Sequence, residues 1–182
     1  MKNTVKITSC GVISALATVL LLGTNIPIFL YTVPALVGIL FMVPAIEFSA
    51  KWAFLCYLIT SVIGVILPTE REALVMFIGI LGYYPILKML LERLPNKALS
   101  YSLKFIIFNV AVIGCYYVIV NVLGINAFES DNFSVTVVKI ALLIAGNIAF
   151  QIFDFALTRL IRAYFYKFRK PVRRALGLKG KY

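Results

Sequence analysis

Six runs of apolar residues, at roughly 7–22, 30–46, 52–67, 73–91, 105–123 and 135–160, fill most of the chain, and only short polar stretches separate them. Each is close to the ~17–25 residues that a helix needs to cross a ~30 Å hydrocarbon core. No run alternates apolar and polar residues at period 2, the signature of a spanning β-barrel. Inside lipid the backbone must satisfy its own N–H and C=O groups, so the runs are predicted to be helices. The expected fold class is an all-α integral membrane protein. It is a six-transmembrane-helix bundle over residues 1–160 with a basic cytoplasmic or interfacial tail at 161–182.

Composition agrees: 62% of residues are apolar, against roughly 45–50% in soluble domains. Six crossings put both ends on one side, and the basic residues say which. Of 18 Lys and Arg, only Arg71 and Lys139 fall on or near the opposite side, where Glu70, Glu72, Glu129 and Asp131 gather. By the positive-inside bias both termini are expected to be cytoplasmic, in a multi-pass protein of the bacterial cytoplasmic membrane. Lys2 and Lys6 precede an apolar run containing Ala15-Leu16-Ala17, which resembles a secretory signal. Thr8, Ser9 and Cys10 interrupt that run, however, so it is read as a retained helix.

The net charge of +11 would suggest nucleic acid in a soluble protein, but here most of it is topology signal. The end of the chain, RLIRAYFYKFRKPVRRALGLKGKY, interleaves nine basic residues with Tyr164, Phe165, Tyr166 and Phe168 and holds no acid. Such a segment is expected to lie on an anionic lipid surface, at ~1 kcal/mol per basic residue. Docking of a cytosolic partner is the alternative.

Several chemistries drop out. No histidine is present, which removes His-based triads, HExxH zinc sites and imidazole haem ligation. Cys10, Cys56 and Cys115 sit singly in different runs, without C-x-x-C spacing. Neither a metal site nor a disulfide framework is indicated. There is no Walker A loop, Rossmann glycine pattern or G-x-S-x-G elbow. The chain is therefore read as no enzyme and as carrying no cofactor; uphill movement of a solute needs an ion gradient or another subunit.

Polar groups within the runs are the functional candidates, since lipid makes them costly. Asn147, Gln151, Asp154 and Thr158 recur at i, i+4, i+7 and i+11, one face of a helix, with Lys139 eight residues before Asn147. At 1.5 Å per residue Lys139 lies roughly 6 Å and Asp154 roughly 29 Å below a helix start at Val135. Lys88 lies roughly 24 Å below Glu72, deep enough to pair with Asp154, or with Glu92. Direct proton or ion transport by Asp154 is the other reading. In GILGYYPILK, Gly79 and Gly82 permit close helix approach, and Pro85 removes a hydrogen bond to the Leu81 carbonyl. A kink is predicted there, either a packing feature or a cavity wall with Tyr83 and Tyr84. Tyr116, Tyr117 and Asn121 suit an interface or a site equally.

The connections GTNIP, PTERE and GINAFESDNFS are short and polar. With Lys139, Asn147, Gln151, Tyr117 and Asn121 they could enclose a small solute, using Asn25, Glu70, Arg71, Glu72 and Asn126; ordinary solvated turns are the alternative.

In its first run, GVISALATVLLLG, Gly11 and Ala15 stand four apart, with Ser14 and Thr18 beside them. This spacing, on a chain of 182 residues with six runs, a basic end and no nucleotide motif, resembles the substrate-binding S components of energy-coupling factor (ECF) vitamin transporters. Those proteins carry an Ala-x-x-x-Ala pattern on the first helix. Here its place is taken by Gly and Ala. The resemblance implies capture of a vitamin-like solute in the external half, beneath the loops, by Lys139, Asn147 and their neighbours. It implies that Gly11 and Ala15 meet a transmembrane coupling subunit driven by two ATPase subunits. Lys139 and Arg71 would favour an anionic or carbonyl-bearing solute. A rival reading is a non-transporting scaffold of an envelope or cell-shape complex, resembling MreD-type proteins, with the basic tail as its interaction element.

Overall fold

The computed structural model describes residues 3–67, 69–124 and 133–175. Among them all regular structure is helical, and four helices are long and apolar enough to cross a membrane: Asn3–Asn25, Arg71–Leu91, Lys97–Asn121 and Val137–Arg174. Two shorter apolar helical stretches, Thr32–Glu47 and Ala50–Ile66, accompany them. This is the build of a membrane-embedded helical protein.

Helix α1 (Asn3–Leu21) packs along α4 (Ala50–Ile66) through small and hydroxyl-bearing side chains. Cys10, Ser14, Ala17 and Thr18 are buried on one, and Ala53, Cys56 and Thr60 on the other. Small residues let the backbones approach where lipid supplies no hydrophobic drive. The Ser14 hydroxyl reaches the Cys56 carbonyl at 3.5 Å, and the Cys56 thiol reaches the Cys10 carbonyl at 3.8 Å. Cys10 and Cys56, far apart in sequence, are thus neighbours across this seam.

The second apolar stretch is not one helix but two, α2 (Thr32–Leu40) and α3 (Met42–Glu47). Pro44 has no N–H for the Leu40 carbonyl, and the chain tightens at Phe41, whose N–H turns back to Gly38 at 3.2 Å. The Phe41 ring, fully buried, packs against Phe77.

The fourth stretch is α5 (Arg71–Met76), a π segment (Phe77–Leu81) and α6 (Tyr84–Leu91). Regular helix is interrupted at Gly82 and Tyr83, immediately before Pro85, and the ladder is already altered in the preceding π segment. Pro85 leaves the Leu81 carbonyl without its helical donor. Gly38 of α2 rests on that carbonyl, where a Cβ would collide. The Tyr57 hydroxyl of α4 donates to the Ile78 carbonyl at 2.7 Å. A side chain of a neighbouring helix thus satisfies one carbonyl of the distorted segment, that of Ile78, while the Leu81 carbonyl is covered by the close approach of Gly38.

Helix α7 (Lys97–Asn121) starts at Asn96, whose side-chain oxygen accepts from the N–H groups of Ala98 and Leu99 at 3.0 and 3.4 Å. Helix α8 (Phe133–Ala163) continues through a π segment (Tyr164–Phe168) into α9 (Arg169–Ala175). The transition from apolar to basic sequence near residue 160 therefore falls within one continuous helical rod. Phe108 of α7 stacks on Phe150 of α8 at 4.1 Å, and Tyr84 meets Phe150 edge-on, joining these helices to α6.

Candidate functional site

The densest polar chemistry lies where α6, α7 and α8 meet. Asp154 of α8 faces Lys88 of α6 and Lys104 of α7, and all three are buried. Lys88 Nζ stands 2.5 Å from Asp154 Oδ1 and 2.8 Å from Glu92 Oε1. Lys104 Nζ stands 2.9 Å from Glu92 Oε1 and 3.3 Å from Asp154 Oδ1. The Tyr84 hydroxyl also donates to Asp154, and Lys88 reaches the Asp154 backbone carbonyl at 3.0 Å. Both alternatives for Lys88 are therefore realised at once.

Two ammoniums and two carboxylates leave the group neutral, which is the condition for keeping such charges out of water at tolerable cost. Glu92, just beyond α6, is the solvent-facing member, with 40% of its side chain exposed. Partial burial pushes its carboxyl up, but hydrogen bonds and charge from Lys88 and Lys104 outweigh this and hold it below the usual carboxylate range. The arrangement fastens three helices at one depth.

A second ionic contact ties the distal part of the rod to the end of α3. Glu47, with its side chain 2% exposed, accepts from Arg169 Nε at 3.1 Å and from the Tyr164 hydroxyl at 3.3 Å, and Arg173 Nε lies at 3.7 Å. Asp154 and Arg169 are 15 residues apart, so the two fasteners are separated by ~22 Å along the helix. Beside the clasp, Tyr166 and Phe168 are exposed among the basic residues Arg162, Lys167 and Arg174.

The residues expected to bind solute are distributed more widely. Asn147 forms a reciprocal amide pair with Asn109 of α7, at 2.9 and 3.0 Å, and also donates to the Leu143 carbonyl. Lys139 lies over the Tyr116 ring, 6.0 Å from its centroid. These two contacts bring Lys139 and Asn147 together with the facing side of α7. Gln151 is exposed on α8, and Asp154 and Thr158 lie farther along. Asn121 donates to the Tyr117 carbonyl at 3.0 Å, with both residues exposed. Arg71 donates to the Val65 carbonyl at 3.4 Å, Glu72 is half-buried next to it, and exposed Asn25 closes the 3-10 turn after α1. Asn126, Glu129 and Asp131 lie outside the described residues.

Gly11 and Ala15 lie on the flank of α1, beside the α4 seam and not within it. Both are exposed, and a Cβ at Gly11 would meet nothing within 4 Å. Their four-residue spacing is thus not spent on packing between the chain's own helices. Among the described residues no three His, Cys, Asp or Glu converge as a metal-binding group.

The sequence alone does not single out Lys104 and Asn109. Lys104 immediately precedes the fifth apolar run and reads only as topology signal, whereas Asn109 is an amide within that run whose one signal is the cost of burying it. Nothing in the sequence joins Glu47 to Arg169. No protein-family model matches the chain, and neither a curated protein nor a solved structure matches it.

Proposed function

We propose that this chain is the membrane-embedded substrate-capture subunit of an ECF-type uptake system, taking up a vitamin-like small solute. In this reading six spans cross a bacterial cytoplasmic membrane with both termini inside. The Lys88–Asp154 cluster and the Glu47 clasp then stand towards the cytoplasm, and Lys139 and Asn147 towards the exterior. The solute contacts are Lys139, Asn147, Gln151, Asn25, Arg71, Glu72, Tyr117 and Asn121. A transmembrane coupling subunit with two ATPase subunits supplies the energy, and anionic lipid neutralises the basic tail.

The observation that carries the reading is the open Gly11–Ala15 face. Small residues at this spacing usually serve helix packing, but α1 uses the adjacent face for that. An unspent small-residue face is what a docking helix needs. The test is co-purification from the native membrane with wild type, Gly11→Leu and Ala15→Leu. A coupling subunit and ATPases that come down with wild type and are lost with both variants support the reading. Unchanged partners, or none, count against it.

A second reading, an MreD-like scaffold of an envelope or cell-shape complex, is favoured by the clasped, basic and aromatic C-terminal rod. In that case partners depend on Tyr166 and Lys167 rather than on Gly11.

A further inference from the structure

An open groove of about 560 Å³ runs between the fourth and fifth apolar helices, within the ~300–1,000 Å³ of sites that hold small organic molecules. Val75, Ile78, Gly79 and Tyr83 line one wall, and α7 lines the other from Ile106 to Val118. That wall covers twelve residue steps, or ~18 Å of helix. The two walls touch at Gly79, where a Cβ would collide with the Cys115 sulfur. At the adjacent Gly114 they part, since a Cβ there would meet nothing within 4 Å. The groove runs beside the π segment, two of whose residues, Ile78 and Gly79, line it.

Its lining offers little to a polar ligand. The Ile78 carbonyl is taken by the Tyr57 hydroxyl, and the Val75 carbonyl accepts from the Cys115 thiol at 3.6 Å. The mouth is lateral: Ile106 and Val110, both lining residues, are 57% and 65% exposed. The long axis follows helices built to cross a bilayer. A helix ~10–12 Å across is too wide to enter a groove of this volume and length and could rest only on its rim. A single hydrocarbon chain fits within it.

We propose that this groove is a lipid site holding one acyl chain of a membrane phospholipid. The chain lies along α7 from Ile106 to Val118 and fills the space between it and the fourth helix. Burial of apolar chain against apolar wall gains close packing that loosely ordered lipid does not supply. The site is independent of the uptake reading and stands whether or not a coupling subunit exists.

The test is the phospholipid retained per protein after exhaustive detergent washing, measured by mass spectrometry on the full chain. Wild type is expected to hold one equivalent, and Gly114→Leu, which fills open space, to lose it at least tenfold. Ile152→Leu, on the exposed side of α8, serves as control and keeps it. Photo-crosslinking of wild type with a diazirine-acyl phosphatidylglycerol gives a readout that needs no variant, with adducts expected on the 106–118 peptide. Equal retention by wild type and Gly114→Leu, a wild type without phospholipid, adducts scattered over all helices, or one equivalent of an apolar molecule that is not a phospholipid would each overturn the proposal.

Discussion

The body formed by α1 to α6 and the hairpin formed by α7 and α8 are assembled on different principles. In their most apolar windows, 33% of the first helix and 44% of Arg71–Leu91 are buried, against 11% of Lys97–Asn121 and 17% of Val137–Arg174. The body is held by close apposition: Gly38 on the Leu81 carbonyl, Gly64 against Leu74, and Ser14 and Cys56 across a seam of small side chains. Of the hairpin, α7 also packs closely on the body where Cys115 meets Gly79, whereas α8 is held by a few polar contacts and by the aromatic contacts of Phe150 and Phe153 with Tyr84 and Phe108. Where lipid is as apolar as leucine, a helix with little intimate packing needs directional bonds to fix its position.

Within the hairpin the polar contacts are unequal. On Asp154 three side chains of α6 and α7 converge, two of them buried ammoniums. Towards the opposite end the contacts thin to the Asn109–Asn147 amide pair and to Lys139 over Tyr116. One end of α8 is fastened to the body, and the other is joined mainly to α7, which itself meets the body at Cys115. Such a gradient leaves the lightly held end as the one that a ligand can reorganise.

The largest expected effect follows from removing one charge at the fastened end. Asp154→Ala leaves two buried ammoniums with one carboxylate and should cost ~3–5 kcal/mol. Thermal unfolding in detergent should show it, and the double change Lys88→Met with Asp154→Leu should recover most of the loss because Lys104 and Glu92 remain paired. Equal destabilisation by the single and double variants would remove the ionic account of the hairpin's attachment.

Next comes the close packing of α7 on the body. Gly79→Val drives a side chain into Cys115 and should destabilise by ~1–3 kcal/mol, whereas the same change at Gly146, where a Cβ would meet nothing within 4 Å, should be near neutral or stabilising. Two equal melting temperatures would mean that the α5 to α7 contact is not intimate. A smaller effect is expected at the amide pair. Interhelical hydrogen bonds in membranes average ~0.6 kcal/mol and reach ~1.7, so Asn109→Leu should shift the melting temperature only slightly and well below Asp154→Ala.

The smallest effect concerns Glu92. Its folded pKa lies below the unfolded value of ~4.3. The group's contribution to stability is therefore complete above that value and is lost as pH falls through the folded pKa. Wild-type stability should decline on acidification below about pH 4. Glu92→Gln should be less stable near neutrality and show a flatter acid limb. Parallel acid limbs in the two proteins would show that Glu92 is not held by Lys88 and Lys104.

Much of this was legible in the chain. Helix class follows from apolar run length, because lipid admits few backbone solutions. The meeting of Lys88 with Asp154 follows from counting depth along two helices, since residue rise is nearly constant. What stayed hidden has a common cause. A spanning helix is apolar on both its lipid and its protein faces, so periodicity does not reveal which residues pack inward. For this reason the Cys10 to Cys56 neighbourhood, the Asn109 to Asn147 pair and the open side of Gly11 emerge only from the fold. The break at Phe41 was signalled by Pro44, and the π segment was not signalled beyond Gly79 and Gly82. The helix passing through residue 160 was obscured by a change in composition that carries no change in backbone.

The most direct test of the uptake account is native mass spectrometry of the detergent-purified full chain after growth in rich medium. The account predicts a retained polar small molecule at one equivalent, lost on Lys139→Ala and kept on Ile140→Ala at an exposed neighbouring position. A wild-type protein that carries no such solute, yet stays bound to an envelope protein through its C-terminal rod, would contradict it.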